Sequence, residues 1–187
     1  SVIYPMLATG ALLASVQILI VNIIMDSLNS LSFGGEPPKE EYMTEKPIKK
    51  GSGLFIRGAK KRITISTVAF VVLYAIITFT PIANMFATET EAITARFALL
   101  CFMAVFNGFN IRTEHINLFE GISKNKLFSI IAAGIVVMTF FLCNIAQNLI
   151  KVTALDLKQW IVDILLSFIV IPIDIVRKLC VKSKKQN

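Results

Sequence analysis

The chain has 187 residues, of which 55% are apolar, a mean hydropathy of +0.71 and a formal net charge of +7. So apolar a composition, gathered into five long runs, excludes a soluble globular domain and gives an all-α polytopic membrane bundle of five transmembrane helices. The basic residues flank those runs, where membrane topology and anionic headgroups account for them, so nucleic acid is excluded as a partner.

Residues 1–11, SVIYPMLATGA, read as a lead-in outside the cytoplasm, with Pro5 and Gly10 as breakers. An opening without Met or a tail before the first span reads as a piece whose upstream part is missing. The first span covers about 12–33, within ALLASVQILIVNIIMDSLNSLSF. Its outstanding residue is Asp26. A carboxylate at the middle of a span costs about 2.5–3.5 kcal/mol on insertion scales, so it marks a site by default. Asn22 lies four residues earlier, on the same face of a helix, and Asn29 three residues later. Carboxylate and amide oxygens are the ligands of hard cations, whereas soft metals take Cys, His or Met. The alternative for the amides is a polar network joining helices.

Glu36-Pro37-Pro38 stops the span, and the loop 34–62 follows with eight Lys and Arg, from Lys39 to Arg62. Within it, Leu54-Phe55-Ile56 reads as a surface-docking trio. The second span is 63–82. The connection 83–92 holds Glu89 and Glu91 and not one Lys or Arg. The third span, 93–109, ends near Asn107 and Asn110, read as interhelical hydrogen-bonding groups, with Gly108 allowing close contact. Loop 110–126 carries Arg112, Lys124, Lys126 and the only histidine, His115, read as a surface residue.

The fourth span is 127–146, with Asn144 and Gln147 at its interfacial end, and the fifth is 160–176. In the fifth, Asp163 reads as a solvated residue near the outer end. Pro172 marks a kink, and Asp174 should pair with Arg177 or Lys178 one turn on. Cys101, Cys143 and Cys180 have no metal-ligand spacing.

Basic residues thus alternate rich, poor, rich, poor, rich. By the positive-inside rule the loops 34–62 and 110–126 and the C-terminus are cytoplasmic and the N-terminus is outside. The sequence holds neither a nucleophile–base pair nor a phosphate-cradling glycine loop, so the residues themselves imply no catalysis.

Residues 16–38, VQILIVNIIMDSLNSLSFGGEPP, resemble the sixth transmembrane helix of calcium-transporting P-type ATPases, which reads like VQLLWVNLxxDxxxALALxxEPP. FNGFNIR and NLFEGISKNKLF, within 106–128, resemble that family's FNxxNxR and NxFxGIxxNxxF around the connection after helix eight. IVIPIDIVRKL resembles the close of helix ten. The resemblance covers nearly the whole chain, making 1–187 the C-terminal transmembrane domain, helices six to ten.

The resemblance implies that Asn22 and Asp26 are calcium ligands, completed by a helix-four glutamate and backbone carbonyls upstream. Asn29 is a possible additional ligand, at a position where the family has small residues or proline. Two features depart from two-site pumps: Met25 stands where those carry Thr, and 93–109 has no acid. Both resemble the single-site, plasma-membrane type. The implied parent is an ATP-driven translocase, with magnesium and ATP held by upstream domains of the same polypeptide, so this segment alone should be inactive. Protons would be countertransported, with Asp26 carrying part of that exchange. The alternatives are a scaffolding or regulatory membrane module, or a pump for sodium or protons.

Overall fold

A computed structural model describes residues 15–36, 59–113, 115–145 and 147–186, and within it the chain is helical. The lead-in 1–11, the Pro37-Pro38 stop and the 54–56 trio lie outside the described residues. The first run forms α1 (Ser15–Asn22), a π-helical turn (Ile23–Leu28) and α2 (Asn29–Gly34), without a break between them. There follow α3 (Ala59–Phe79), α4 (Glu89–Arg112), α5 (Lys126–Asn144), the short α6 (Gln147–Ile150), α7 (Leu157–Phe168) and α8 (Val170–Gln186). Four helical stretches are long and apolar enough to cross a membrane, α7 and α8 together making the fourth. With the first run they match the five expected.

Helix ends depart from the apolar runs because polar residues extend them. Lys60, Lys61 and Arg62 are sound helix formers and carry α3 back to Ala59. Thr88 caps α4, its hydroxyl accepting from the Glu91 N–H at 3.2 Å, while Glu91 Oε2 accepts from the Ala87 N–H at 2.8 Å. Asp156 and Gln159 form a capping box that starts α7 at Leu157. Pro172 has no N–H for the carbonyl four residues back, and the last span breaks between Phe168 and Val170.

α4 is the axis of the bundle. In its most apolar stretch 61% of residues are buried, against 17% for α3 and 22% for α5. The first run, α3, α5, α7 and α8 all pack on it. Phe97, Ala98, Leu99, Cys101 and Met103 are wholly enclosed. Phe102 meets Trp160 with ring centroids 6.0 Å apart, and Phe140 packs on the same indole at 4.3 Å, tilted by 42°. Exposed apolar side chains such as Val71, Ile130 and Val137 cover the periphery. That is the arrangement expected of helices whose outer faces meet lipid, because lipid tails are as apolar as leucine.

Asp163 corrects the sequence-based expectation. It is fully buried rather than solvated. The apolar count started the span at 160, whereas α7 begins at Leu157, which sets Asp163 nearly two turns inside the helix.

Candidate ion site and the latch at its helix end

The helix that carries Asn22 and Asp26 is irregular where they lie. Asn22 ends α1, and Asp26 falls in the π turn, where the Asn29 N–H bonds the Ile24 carbonyl five residues back. Single π turns inside α-helices concentrate at functional sites. Gln17, Val21, Ile24 and Ser32 are buried. Their spacing slightly exceeds the ~3.6 residues of an α turn, and the wider π turn absorbs the excess, keeping them on the inward side.

Asn22 is exposed. The Asp26 side chain lies outside what is described. Asn29 turns toward α4: its Nδ2 donates to the Ala104 carbonyl at 3.4 Å, and a methyl group at Gly108 would sit 3.7 Å from its Oδ1. That is ordinary van der Waals contact, so the approach of the two helices does not depend on a glycine at 108. Asn22 and Asn29 are not brought together. Asn110 Nδ2 donates to the Val170 carbonyl at 3.0 Å, the interhelical role expected of it. Asn107 lines a cavity of about 300 Å³ between α3 and α4, with Arg62, Ser66 and Thr67.

Gln17 anchors the far end of this helix. It is wholly buried, and its Nε2 donates to the carbonyls of Ile150 and Lys151 at 2.8 and 3.3 Å. Those carbonyls end α6, where Lys151 takes a left-handed φ of 54°. Nothing local in the sequence foretells a partner 133 residues away.

At the opposite end three of the four motif strings converge in a latch. Glu36 Oε1 accepts from Arg112 Nη1 at 3.1 Å, and its Oε2 accepts from Asn125 Nδ2 at 2.7 Å. Arg112 Nη2 also donates to the carbonyls of Leu118, at 2.9 Å, and Glu120. The Asn125 amide further reaches the Ser32 carbonyl at 3.1 Å, while its Oδ1 caps α5 by accepting from the Phe128 N–H at 2.9 Å. Phe128 packs between Phe33 and Phe109, with the Arg112 guanidinium 5.6 Å from its ring centroid. Gly121 bends the connecting loop at a φ of +66°.

A Cβ at Gly35 would fall 2.8 Å from Asn125 Oδ1 and 3.1 Å from Leu127 Cβ. Gly35→Ala should therefore destabilise the bundle by about 1–3 kcal/mol, as overpacking does. A detergent-unfolding midpoint measured against Gly34→Ala checks it, because position 34 is open.

Below the break in the last span, Asp174 accepts from Arg177 at 2.5 Å and lies 3.1 Å from Lys178, fulfilling the expected pairing. Lys178 Nζ also donates to the Asn110 carbonyl at 3.0 Å. His115 pairs with Glu120 at 2.6 Å on the surface.

Known proteins are similar to this chain in sequence. Residues 10–180 match the family model described as cation transporting ATPase, C-terminus. The chain is 32% identical over 166 residues to human plasma membrane calcium-transporting ATPase 1, a match covering 82% of this chain and 14% of that protein. It is 32% identical over 178 residues to rice calcium-transporting ATPase 10, plasma membrane-type, covering 91% and 17%. The Arabidopsis thaliana protein of that name matches at 29% over 173 residues, covering 89% and 16%. The chain thus spans a small part, 14–17%, of the length of these relatives. The sequence belongs to the C-terminal family of cation transporting ATPases.

Proposed function

We propose that the chain is the C-terminal membrane half of an ATP-driven calcium pump, in which Asn22 and Asp26 supply cation ligands. The observation that carries the reading is the placement of an acid and an amide at an irregular turn of a helix inside a membrane bundle. Asn22 faces outward from this bundle, so further ligands from upstream helices have room to complete a coordination sphere there. Hard cations need six or more oxygens, more than this helix provides alone. The relatives are named calcium-transporting and plasma membrane-type, which favours calcium and the cell membrane.

In this reading the basic-rich connections are cytoplasmic, and the latch holds the cytoplasmic end of the ligand helix. Gln17 holds its outer end. The helix is then pinned at both ends around a π turn, leaving its middle as the segment able to rearrange. Upstream domains bind magnesium and ATP. When calcium leaves, Asp26 takes a proton, because a neutral acid is cheaper to keep in the membrane than an unpaired carboxylate.

The test is ion-stimulated ATP hydrolysis and vesicle uptake by the full-length protein, offered calcium, sodium or protons singly. Stimulation and uptake with micromolar-range calcium alone are expected. Stimulation by sodium or protons without calcium would reassign the ion.

A further inference from the structure

We propose that Asp163 is a second proton-binding site within the membrane, set at the junction of α4, α5 and α7 and distinct from the Asn22–Asp26 helix. Its side chain is fully enclosed, and both carboxylate oxygens lack a hydrogen-bond partner among the described residues. Because nothing is exposed, no helix added from upstream could reach it.

An isolated carboxylate so placed is costly, and an ion or a proton must answer it. The surroundings decide which. The titratable groups facing it are the thiols of Cys101 on α4 and Cys143 on α5. Among the described residues no group of His, Cys, Asp and Glu could hold a metal ion. A hard cation would also need many more oxygens than one carboxyl gives.

The nearby charges are engaged elsewhere. Asp174, Arg177 and Lys178 pair with one another beyond the break in the last span. Arg96 on α4 is coupled to Tyr74 on α3. A proton is the ligand that fits.

The route to water lies along one face of α7. Gln159, Asp163 and Ser167 recur every four residues and are all buried, a single helical stripe. Ser167 closes the inward side, donating to the Asp163 carbonyl at 2.7 Å. Outward, Gln159 Nε2 donates to Glu91 Oε2 at 3.2 Å and to the Met85 carbonyl at 2.9 Å. Glu91 is only partly buried and stands at the bundle end. A hydronium ion at that end is the donor: one of its O–H bonds breaks, leaving water, as an O–H bond forms on the Asp163 carboxylate, and on alkalinisation hydroxide takes the proton back by the same path to give water. The site stands or falls separately from the reading of Asp26.

The experiment is infrared spectroscopy of the full-length protein in lipid vesicles, with aspartate labelled by carbon-13 at the side-chain carboxyl. At neutral pH a carboxylic-acid C=O band that moves with the label should be present, and Asp163→Asn should remove it. Alkalinising the side that bears Glu91 should convert the band to carboxylate, reversibly. Gln159→Leu should slow that conversion while leaving the band in place. Should Asp163→Asn fail to fold, Asp163→Glu should displace the band out of the labelled set. Loss of a carboxylate band instead, an unchanged spectrum, or an acid band that never exchanges would overturn the proposal. None of these readouts involves calcium.

Discussion

Replacing Asp26 with Asn in the full-length protein should abolish calcium-stimulated ATP hydrolysis at calcium concentrations that saturate the wild type. The two side chains are nearly the same size, so the helix is kept while the charge is lost. Removing one partner of a buried ion pair costs about 3–5 kcal/mol. At ~1.4 kcal/mol per tenfold, that is a loss of a hundredfold or more in apparent calcium affinity. Stability should move the other way, since an amide is cheaper than a carboxylate at mid-membrane by most of the ~2.5–3.5 kcal/mol that an acid costs there. The combination separates a ligand from a structural residue. A mutant with full calcium response, or one that loses activity because it unfolds earlier, would remove Asp26 from the ion site.

The same physics explains what the sequence made legible. Long apolar runs can only be helices in lipid, because each backbone group must be bonded within its own segment. The five runs were therefore visible at once, and so was the Asp174 pairing, which needs no knowledge beyond helical spacing. Asp26 stood out because acids are rare at mid-span. Asp163 was lost for the opposite reason: near the end of a run, an acid looks like the beginning of solvent. The signal that would have placed it was present. Asp156 and Gln159 have the spacing of a capping box, which starts the helix at Leu157 and sets Asp163 well inside. No such signal existed for Gln17, whose partners at Ile150 and Lys151 are fixed only by the packing of the whole bundle. The π turn was equally hidden, because the apolar pattern around it reads as ordinary helix. Gly35, Arg112, Asn125 and Phe128 sat in strings matched to a family, but their convergence on Glu36 emerges only in three dimensions.

Truncating Arg112 should be the most damaging change outside the proposed ion site. Its side chain is wholly buried, and the partner Glu36 side chain is 20% exposed. Arg112→Ala leaves the Glu36 carboxylate without its cation, held by Asn125 alone, strands the carbonyls of Leu118 and Glu120, and strips a cation from the face of Phe128. The expected loss is about 3 kcal/mol, the lower end for breaking a buried pair, since part of Glu36 stays in reach of water. Glu36→Gln keeps an acceptor for Asn125 and should cost nearer ~1 kcal/mol, the worth of an ordinary hydrogen bond. Arg112→Lys should rescue little: Nη1 and Nη2 serve different partners, and an ammonium cannot span that fork. Because both single changes break the same contact, the double mutant Arg112→Ala/Glu36→Gln should be less unstable than the sum of the two. Denaturation midpoints in detergent for the four proteins measure this directly. In the full-length protein, protease nicking within 113–125 should rise in step with the loss, because Arg112 ties that loop down by donating to its Leu118 and Glu120 carbonyls. Strict additivity, or an unchanged nicking rate, would mean that the latch does not hold the helix end and that Phe128 packing alone joins α2 to α5.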